Sequence, residues 1–592
     1  MLKNNKTFAV LSLLLLTPCL AAAFNPAGWQ SNNNFPLMGS TEAVKGGTLR
    51  SYWSDFPATL RTEGPNSNLS TTGQLQGMVY ESLLTLHPET MEYIPVLADY
   101  WKISPDKRTF YFHINPKARW ADGTPVTADD VVATWEFRVR KDIKDPYSAM
   151  MWGESFDKPV AVSPDVVSVH TKKLHWRLFL YFSGMQIYQA KEMRALTGDK
   201  YLEDYNWKMQ TGSGPYELKP EDIKKPISIT LTRRKNYWGE KERGNIGLNN
   251  FDKLVWTVVM DEELAFEKFK KGELDYYPVN KSQRWLQESD FDKVKRGIVQ
   301  KRKVYTKVPQ GVSGFVFNMR KPPFNDRNVR KAFALLLNRE KLIDKLFFGE
   351  YGFIDSYHPG SDWANPTNPK IRYNPRMAKR LLARAGWAER NKDGWLTKDG
   401  KPFEITLEYG DPGFTRIYKV IQEDLKAAGI KLDLKQTDYN TIMKKVGERN
   451  FTLYHASWGG LLFPNPENSW SGALADKNDN NNLPGFKNAE VDALCKEYDT
   501  AFNIKDQRRI IHRIDELIFR VYPYALGWSS GFSRVLYYNK FGHAPNYFPK
   551  IGDYRSIVSN WWLDPAKEKA MNEALKNGGS LPVGETEVRP WN

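Results

Sequence analysis

Two glycines in TGSGPYEL (211–218), Gly212 and Gly214, are the first residues here that could do chemistry, because glycine-rich turns before a helix cradle phosphates. The dinucleotide fingerprint needs another glycine where this chain has Glu217, and Pro215 removes an N–H that a phosphate would use. The stretch reads instead as a sharp turn feeding a strand, with Tyr216 and Leu218 on one face. GWSSG (527–531) matches the G-x-S-x-G elbow of serine hydrolases, with Ser529 as nucleophile. That elbow requires a helix after the serine, whereas FSRVLYYN is β-branched and aromatic and reads as a strand. His543 follows with no acid between it and Ser529. DKNDNNNLPGFK (476–487) begins like a calcium loop, with Asp476, Asn478 and Asn480 in the alternating ligand places. Asn481 then stands where the loop needs glycine, and Lys487 where it needs a bidentate glutamate. The histidines are scattered with no H-E-x-x-H, and Cys495 is the only cysteine beyond the N-terminal leader, which excludes cysteine-type zinc sites. No catalytic residue, metal or cofactor is expected, and binding is favoured over catalysis.

Holding side chains in place over 592 residues takes more than one hydrophobic core, so two or three domains are expected. With 41% apolar and 26% charged residues the chain reads as globular, and its 20 Trp and 29 Tyr are enough to line a cleft as well as fill cores. The net charge of +16 is diffuse; the nearest approach to a basic run is VQKRKVYTK (299–307), and no nucleic-acid partner is expected. Lys3 and Lys6, the apolar run from Phe8 to Leu20 and Ala21-Ala22-Ala23 form a signal peptide over 1–23, with the mature chain starting at Phe24 in the periplasm. The run is too short to remain as a membrane span, and Pro18 before Cys19 disfavours lipid anchoring. A single mature cysteine leaves no intramolecular disulfide.

Strands and helices alternate through most of the chain. TFYFHI and PISITLT alternate apolar and polar residues as half-buried strands, and Thr127 with Asp130 makes a capping-box start for a helix. VRKAFALLLNREKLIDKLFF has helical spacing. NPRMAKRLLARAGW places Asn374 at a cap, Pro375 at the first helical position and Gly386 at the end. The DG pairs at 393–394 and 399–400 mark the turns of a hairpin-like insert. FEITLEY, TRIYKVIQEDLKAAG, IKLDLKQ, NTIMKKVGE and FTLYHAS then spell two successive βαβ units with parallel strands. Two amphipathic helices follow, the second ending at Pro523, and the tail from about Gly578 reads as loose. Functional residues belong on loops beyond the strand ends.

The ordered set KGGTLR (45–50), YESLLTL (80–86), PVLADYWKISPDKRTFYFHI (95–114), RWADGTPVTADDVVATWEF (119–137), TGSGPYEL, LTRRKNYWGE (231–240), KGELDYYPV (271–279), RKAFALLLNRE (330–340), YNPRMAKRLLARAGW (373–387) and VDALCKEYD (491–499) covers nearly the whole mature chain. It resembles the large periplasmic solute-binding proteins of the oligopeptide and dipeptide type (family 5, cluster C) that serve ABC importers. FPLMGS (35–40) and WWLDPAKEKAM (561–571) resemble the Yej-type branch more closely. The resemblance implies an α/β, two-lobe, hinge-bending periplasmic binding protein fold of type II. Lobe I would comprise 24–74, 206–308 and 531–592, an additional domain over 75–205 would be inserted into it, and lobe II would be 309–530. It also implies a monomeric receptor that captures a peptide ligand between the lobes and delivers it to the permease subunits of an ABC transporter in the inner membrane.

On that reading the ligand-binding residues are Trp53, Trp458, Gly459, Gly460, Trp470, Asn480, Asn481 and Asn482. One departure stands out. Peptide-binding members commonly carry an aspartate three residues after the tryptophan that ends a second-lobe strand, paired with the peptide's α-amino group; here Leu461 holds that place after Trp458. Either Glu467, Asp476 or Asp479 takes the role, or the ligand is not held by a free amino terminus. The alternatives are the same fold with a non-peptide solute (an oligosaccharide, an opine or a metal chelate) and an exported hydrolase using Ser529.

Overall fold

The computed structural model describes residues 24–591; the expected signal peptide over 1–23, with Cys19, lies outside them. Local chemistry sets the elements where the sequence announces them. The capping box forms as read: the Asp130 carboxylate accepts from Thr127 N at 2.8 Å and from its hydroxyl at 3.1 Å, starting helix Ala128–Arg138. Asn374 accepts from Met377 N at 2.9 Å to cap Pro375–Arg384, and Gly386 beyond its end has φ +90°. The run from Val329 to Phe348 breaks into Arg327–Leu336 and Arg339–Lys345, because the Asn338 side chain accepts from Lys341 N and starts a second helix.

Four sheets of four or five strands organise the described residues. In the first, Thr48–Trp53 runs parallel to Lys253–Val258, which pairs antiparallel with Ser228–Arg233 and then Tyr216–Glu217. The turn at 211–215 launches that last strand, and its glycines permit close approach: a Cβ on Gly212 would lie 2.1 Å from the Val79 carbonyl oxygen. Tyr216 is buried and donates its hydroxyl to Phe251 O at 2.9 Å. In the second sheet, Phe532–Tyr538 lies between Tyr276–Pro278 and Val299–Tyr305, both antiparallel. The third has the order Lys431–Gln436, Glu404–Tyr409, Leu453–Trp458, Val312–Phe317, Tyr524–Leu526. Glu404–Tyr409 is parallel to both its neighbours, the expected βαβ pair, whereas Val312–Phe317 is antiparallel to both of its own. Ala98–Ile103, Thr109–Ile114, Val166–His170 and Val160–Ser163 make an antiparallel meander with its own core.

The cores follow these sheets. One spans Phe315 to Leu526 and contains both βαβ units. Another joins Leu49, Leu254 and Trp256 to Tyr537 and Trp561, so distant stretches of chain share one interior. The meander's core draws on residues from Leu83 to Ile187, while Leu75, Tyr80, Phe137 and Tyr201, which the expected inserted domain over 75–205 also includes, pack instead with Leu49 and Trp256. The chain passes between the second and third sheets, which fall in the expected first and second lobes, through 306–311 and 527–531. Beside these crossings Glu350 of the second lobe is ion-paired at 2.9 Å to both Lys303 and Arg534 of the first. A second contact ties the meander to the second lobe: Trp176 N donates to Asp499 O at 3.0 Å, and His175 and Arg177 lie 3.2 and 3.4 Å from the Asp499 carboxylate.

The C-terminal tail is not loose. Arg296 donates to Gly579 O, Gln300 to Pro582 O and Arg302 to Val583 O, and Glu587–Val588 adds a parallel edge strand to Val299–Tyr305. Most of these contacts use the tail's own carbonyl groups, which any sequence supplies; Glu587 adds an ion pair to Lys303 at 3.3 Å and Trp591 donates to Phe548 O at 3.1 Å.

The crossing segment packs on the loop after Leu453–Trp458 with no room to spare. A Cβ on Gly311 would lie 1.9 Å from Trp458 O, and one on Gly460 would lie 2.0 Å from Pro309 O. A Cβ on Gly459 would meet nothing within 4 Å. Gly311→Ala is therefore expected to destabilise the second lobe by about 1–3 kcal/mol through overpacking, read as a thermal midpoint lower by a few degrees. Gly459→Ala should leave the midpoint unchanged in the same calorimetric scan.

Candidate functional site

Two cavities contain the aromatic residues singled out from the sequence. The larger, of about 490 Å³, lies in the first lobe at the end of Thr48–Trp53. Trp53 is almost buried on its wall, stacked on Trp256 with ring centres 5.0 Å apart and its indole N–H donated to Gln74 Oε1 at 3.0 Å. Tyr52, Tyr276 and Tyr554 line it too, and helix Ser70–Val79 turns Gly73 and Gly77 toward it. Both glycines face open space, so no neighbouring side chain requires them.

The second cavity, of about 350 Å³, sits in the second lobe where Leu453–Trp458 ends. It brings together Trp458, Gly459, Gly460, Trp470 and Asn481. Trp458 donates its indole N–H to the Tyr524 hydroxyl at 3.2 Å, and Trp470 packs edge-on against Tyr357 and Tyr524. Both tryptophans thus serve the core and the cavity at once. Asn480 and Asn482 do not join them. The Asn480 amide donates to Leu474 O and Lys477 O, and the buried Asn482 side chain bonds Ser471 O, Phe486 O and Phe486 N. These two asparagines hold the 471–486 turn from inside, leaving Asn481 alone of the three on the wall.

Sequence reasoning missed the opposite wall, the irregular loop from Ser356 to Asn368. It is fastened by Asp515, which lies on helix Ile504–Val521 and is wholly buried. The Asp515 carboxylate accepts from Ser356 Oγ at 2.8 Å, Tyr357 N at 2.9 Å, Asn368 Nδ2 at 2.8 Å and Asn365 N at 3.2 Å. Four donors offset the desolvation of a buried carboxylate, which unpaired would cost several kcal/mol. The loop so held presents Tyr357, His358 and Ser361 to the cavity, and Trp363 donates to Leu462 O at 3.0 Å, joining the two walls. Burial holds the His358 imidazole below its usual pKa despite Asp515, so it is neutral at pH 7. Gln310, Asn465 and Asn468 were missed as well; the Pro- and Asn-rich PNPEN after a strand end was the available signal.

The charge pattern is the distinctive property of the site. Among the described residues, no Asp, Glu, Lys or Arg lines the second-lobe cavity. Leu461 sits on its rim, 58% exposed. The three acids considered as substitutes are off the wall: Asp476 pairs with Lys487 at 2.5 Å, and neither Glu467 nor Asp479 lines the cavity. In the first-lobe cavity the charged residues are Glu262, paired with Lys281 at 2.8 Å and Arg284 at 3.4 Å, and Arg555, forked onto Asp553 at 2.6 Å. What the walls offer instead is neutral hydrogen bonding. Among the described residues, the side chains of Gln310, Asn465, Asn468 and Asn481 have no partner within the chain. The backbone N–H groups of Gly459, Gly460 and Leu461 have none either.

Ser529 lies apart from any elbow. Strand Trp528–Ser529 leads through two residues into strand Phe532–Tyr538, with no helix after the serine, and His543 bonds Ala544 O and the Tyr537 hydroxyl. At 476–487 the place of a calcium-binding glutamate is held by Lys487, in its pair with Asp476.

The profile of the bacterial extracellular solute-binding proteins, family 5 (middle region), matches residues 92–481. The chain belongs to that family. It is a solute-binding component of an ABC transporter, and the family and its structural neighbours are binding proteins. Among curated relatives, the probable peptide-binding protein YejA of Agrobacterium fabrum is 26% identical over 573 residues, covering 87% of this chain and 92% of its own. The oligopeptide-binding protein AppA of Bacillus subtilis, solved with a nonapeptide, superposes with a TM-score of 0.70 at 22% identity, over 88% of this chain and 100% of AppA. The periplasmic oligopeptide-binding protein of Thermotoga maritima, solved with mannohexaose bound, gives 0.68 at 20% identity, over 87% and 97%. The two-lobe α/β fold of the family is therefore that of this chain, and no helix among the described residues is long and apolar enough to cross a membrane.

The Asp515 hub yields a direct test. Asp515→Ala strands four donors and is expected to cost about 3 kcal/mol or more, lowering the midpoint of the second lobe by roughly 6–12 °C. Ligand affinity should fall with it, measured by calorimetric melting and titration of the same preparation.

Proposed function

We propose that this protein is a periplasmic receptor that captures peptides between its lobes as a monomer and hands them to membrane permease subunits for import. The observation that carries the reading is the second-lobe cavity, with its unengaged amide side chains and three free backbone N–H groups beside a strand end. An extended peptide offers one carbonyl and one N–H per residue, and main-chain bonding of that kind takes many sequences without selecting among them. Trp53 and the first-lobe cavity form the opposite jaw, and closure brings both against the ligand. Trp458, Gly459, Gly460, Trp470 and Asn481 are the second-lobe contacts in this reading, with Tyr357, His358 and Gln310 added. The peptide-bound AppA and the peptide-binding assignment of the Agrobacterium relative support it.

A second reading, a neutral oligosaccharide, is favoured by one feature. Aromatic walls with amide and hydroxyl groups and no free charge suit a sugar as well as a peptide, and the Thermotoga relative was solved with one.

Native mass spectrometry of the protein taken directly from periplasm separates the two. Peptide capture gives a family of bound masses spaced by amino-acid residues, whereas a hexose ladder would overturn it. Trp458→Ala is expected to weaken binding at least about tenfold, as loss of a buried aromatic contact does, measured by titration with the peptides so identified.

A further inference from the structure

Within the peptide reading, the place where an ammonium would be held can be examined group by group. An α-ammonium carries three N–H donors and a positive charge, and it needs acceptors, preferably a carboxylate. Around Leu461 the structure supplies the reverse. Gly459, Gly460 and Leu461 present three backbone N–H donors with no partner among the described residues. No carboxylate lines the cavity, and the nearest acids in sequence are ion-paired elsewhere or off its wall. The buried Asp515 behind the loop has its oxygens taken by four donors of the protein itself. The first-lobe cavity gives no refuge, since Glu262 already faces Lys281 and Arg284. An ammonium seated here would meet three N–H donors that repel it and only neutral amide oxygens as acceptors, with no carboxylate to offset the cost of desolvating its charge. A carbonyl oxygen seated in the same place would accept from those N–H groups, and an amide N–H beside it would find Asn468 or Asn481 as acceptor.

Resting on the peptide reading, we propose that the ligand end held at Gly459–Leu461 is an acylated amine, so that the receptor selects peptides whose amino terminus is blocked over the same peptides with a free ammonium. Leu461 belongs to this selection: an apolar, exposed side chain beside the donors suits an acyl group and gives a charge nothing.

A random-sequence pentapeptide library, half of it N-acetylated, tests this. It is offered to protein freed of ligand by denaturation and refolding, and the retained peptides are counted by mass spectrometry. Acetylated members should be enriched at least tenfold, about 1.4 kcal/mol. Equal retention, or enrichment of free amines, overturns this inference and leaves the peptide reading standing. Retention of neither half by protein that still binds a non-peptide mass from periplasm overturns both. In Leu461→Asp, an exposed substitution that leaves packing intact, the enrichment should fall or invert, because a carboxylate then stands where the ammonium needs it. An unchanged tenfold preference in that variant would also count against the proposed location.

Discussion

One buried ion holds the binding face of the second lobe together. The loop from Ser356 to Asn368 has no helix or strand of its own, so its backbone polar groups need partners from elsewhere. Asp515 provides them from the middle of an 18-residue helix whose buried face is anchored in the largest core. The cavity wall thereby inherits the rigidity of the helix rather than the freedom of a loop. The facing loop is fixed differently, by steric contact: Gly460 and Gly311 let it lie directly on the segment that crosses between lobes. Gly459–Leu461 therefore lies in direct contact with the backbone that joins the second and third sheets.

The electrostatics divide by location. The chain carries +16 overall, yet both cavities are without a free charge. The surplus acts at the surface, where salt screens it beyond about 8–10 Å, and it bears on encounter more than on recognition. Inside, what the walls offer is hydrogen-bond polarity, neutral amides and backbone N–H groups in place of charge. That polarity separates carbonyl from ammonium sharply, because an unmatched buried donor costs more than a matched one gains.

Much of the fold was legible because its signals are local. Thr127 with Asp130, and Asn374 with Gly386, state helix ends in a few residues, and the alternation from FEITLEY to FTLYHAS states two βαβ units. The failures come from partners that no local pattern announces. Asn365 meets Asp515 across 150 positions, so nothing around either residue announces the loop they build. The tail is held largely through its own carbonyls, which leave no trace in side-chain identity, with Glu587 and Trp591 adding contacts to Lys303 and Phe548 O. Asn480, Asn481 and Asn482 are alike as letters, and only the backbone path decides that two face inward and one outward. The aromatic positions were legible as a class, while their double duty in core and cavity was not.

Gly73 and Gly77 give the first-lobe wall a different character. Each interior glycine makes a helix less favourable by about 1 kcal/mol relative to alanine, and no packing contact requires either one. Their helix has ten residues, no side-chain cap at Leu69 and no charged residue complementing either end. So short an element depends on the burial of Thr72, Leu75 and Val79 in the core rather than on its own propensity. The two cavity walls thus differ in what fixes them, a buried carboxylate for one and apolar packing of a glycine-containing helix for the other, and slower amide exchange at Tyr357 than along 70–79 is the signature that difference would carry.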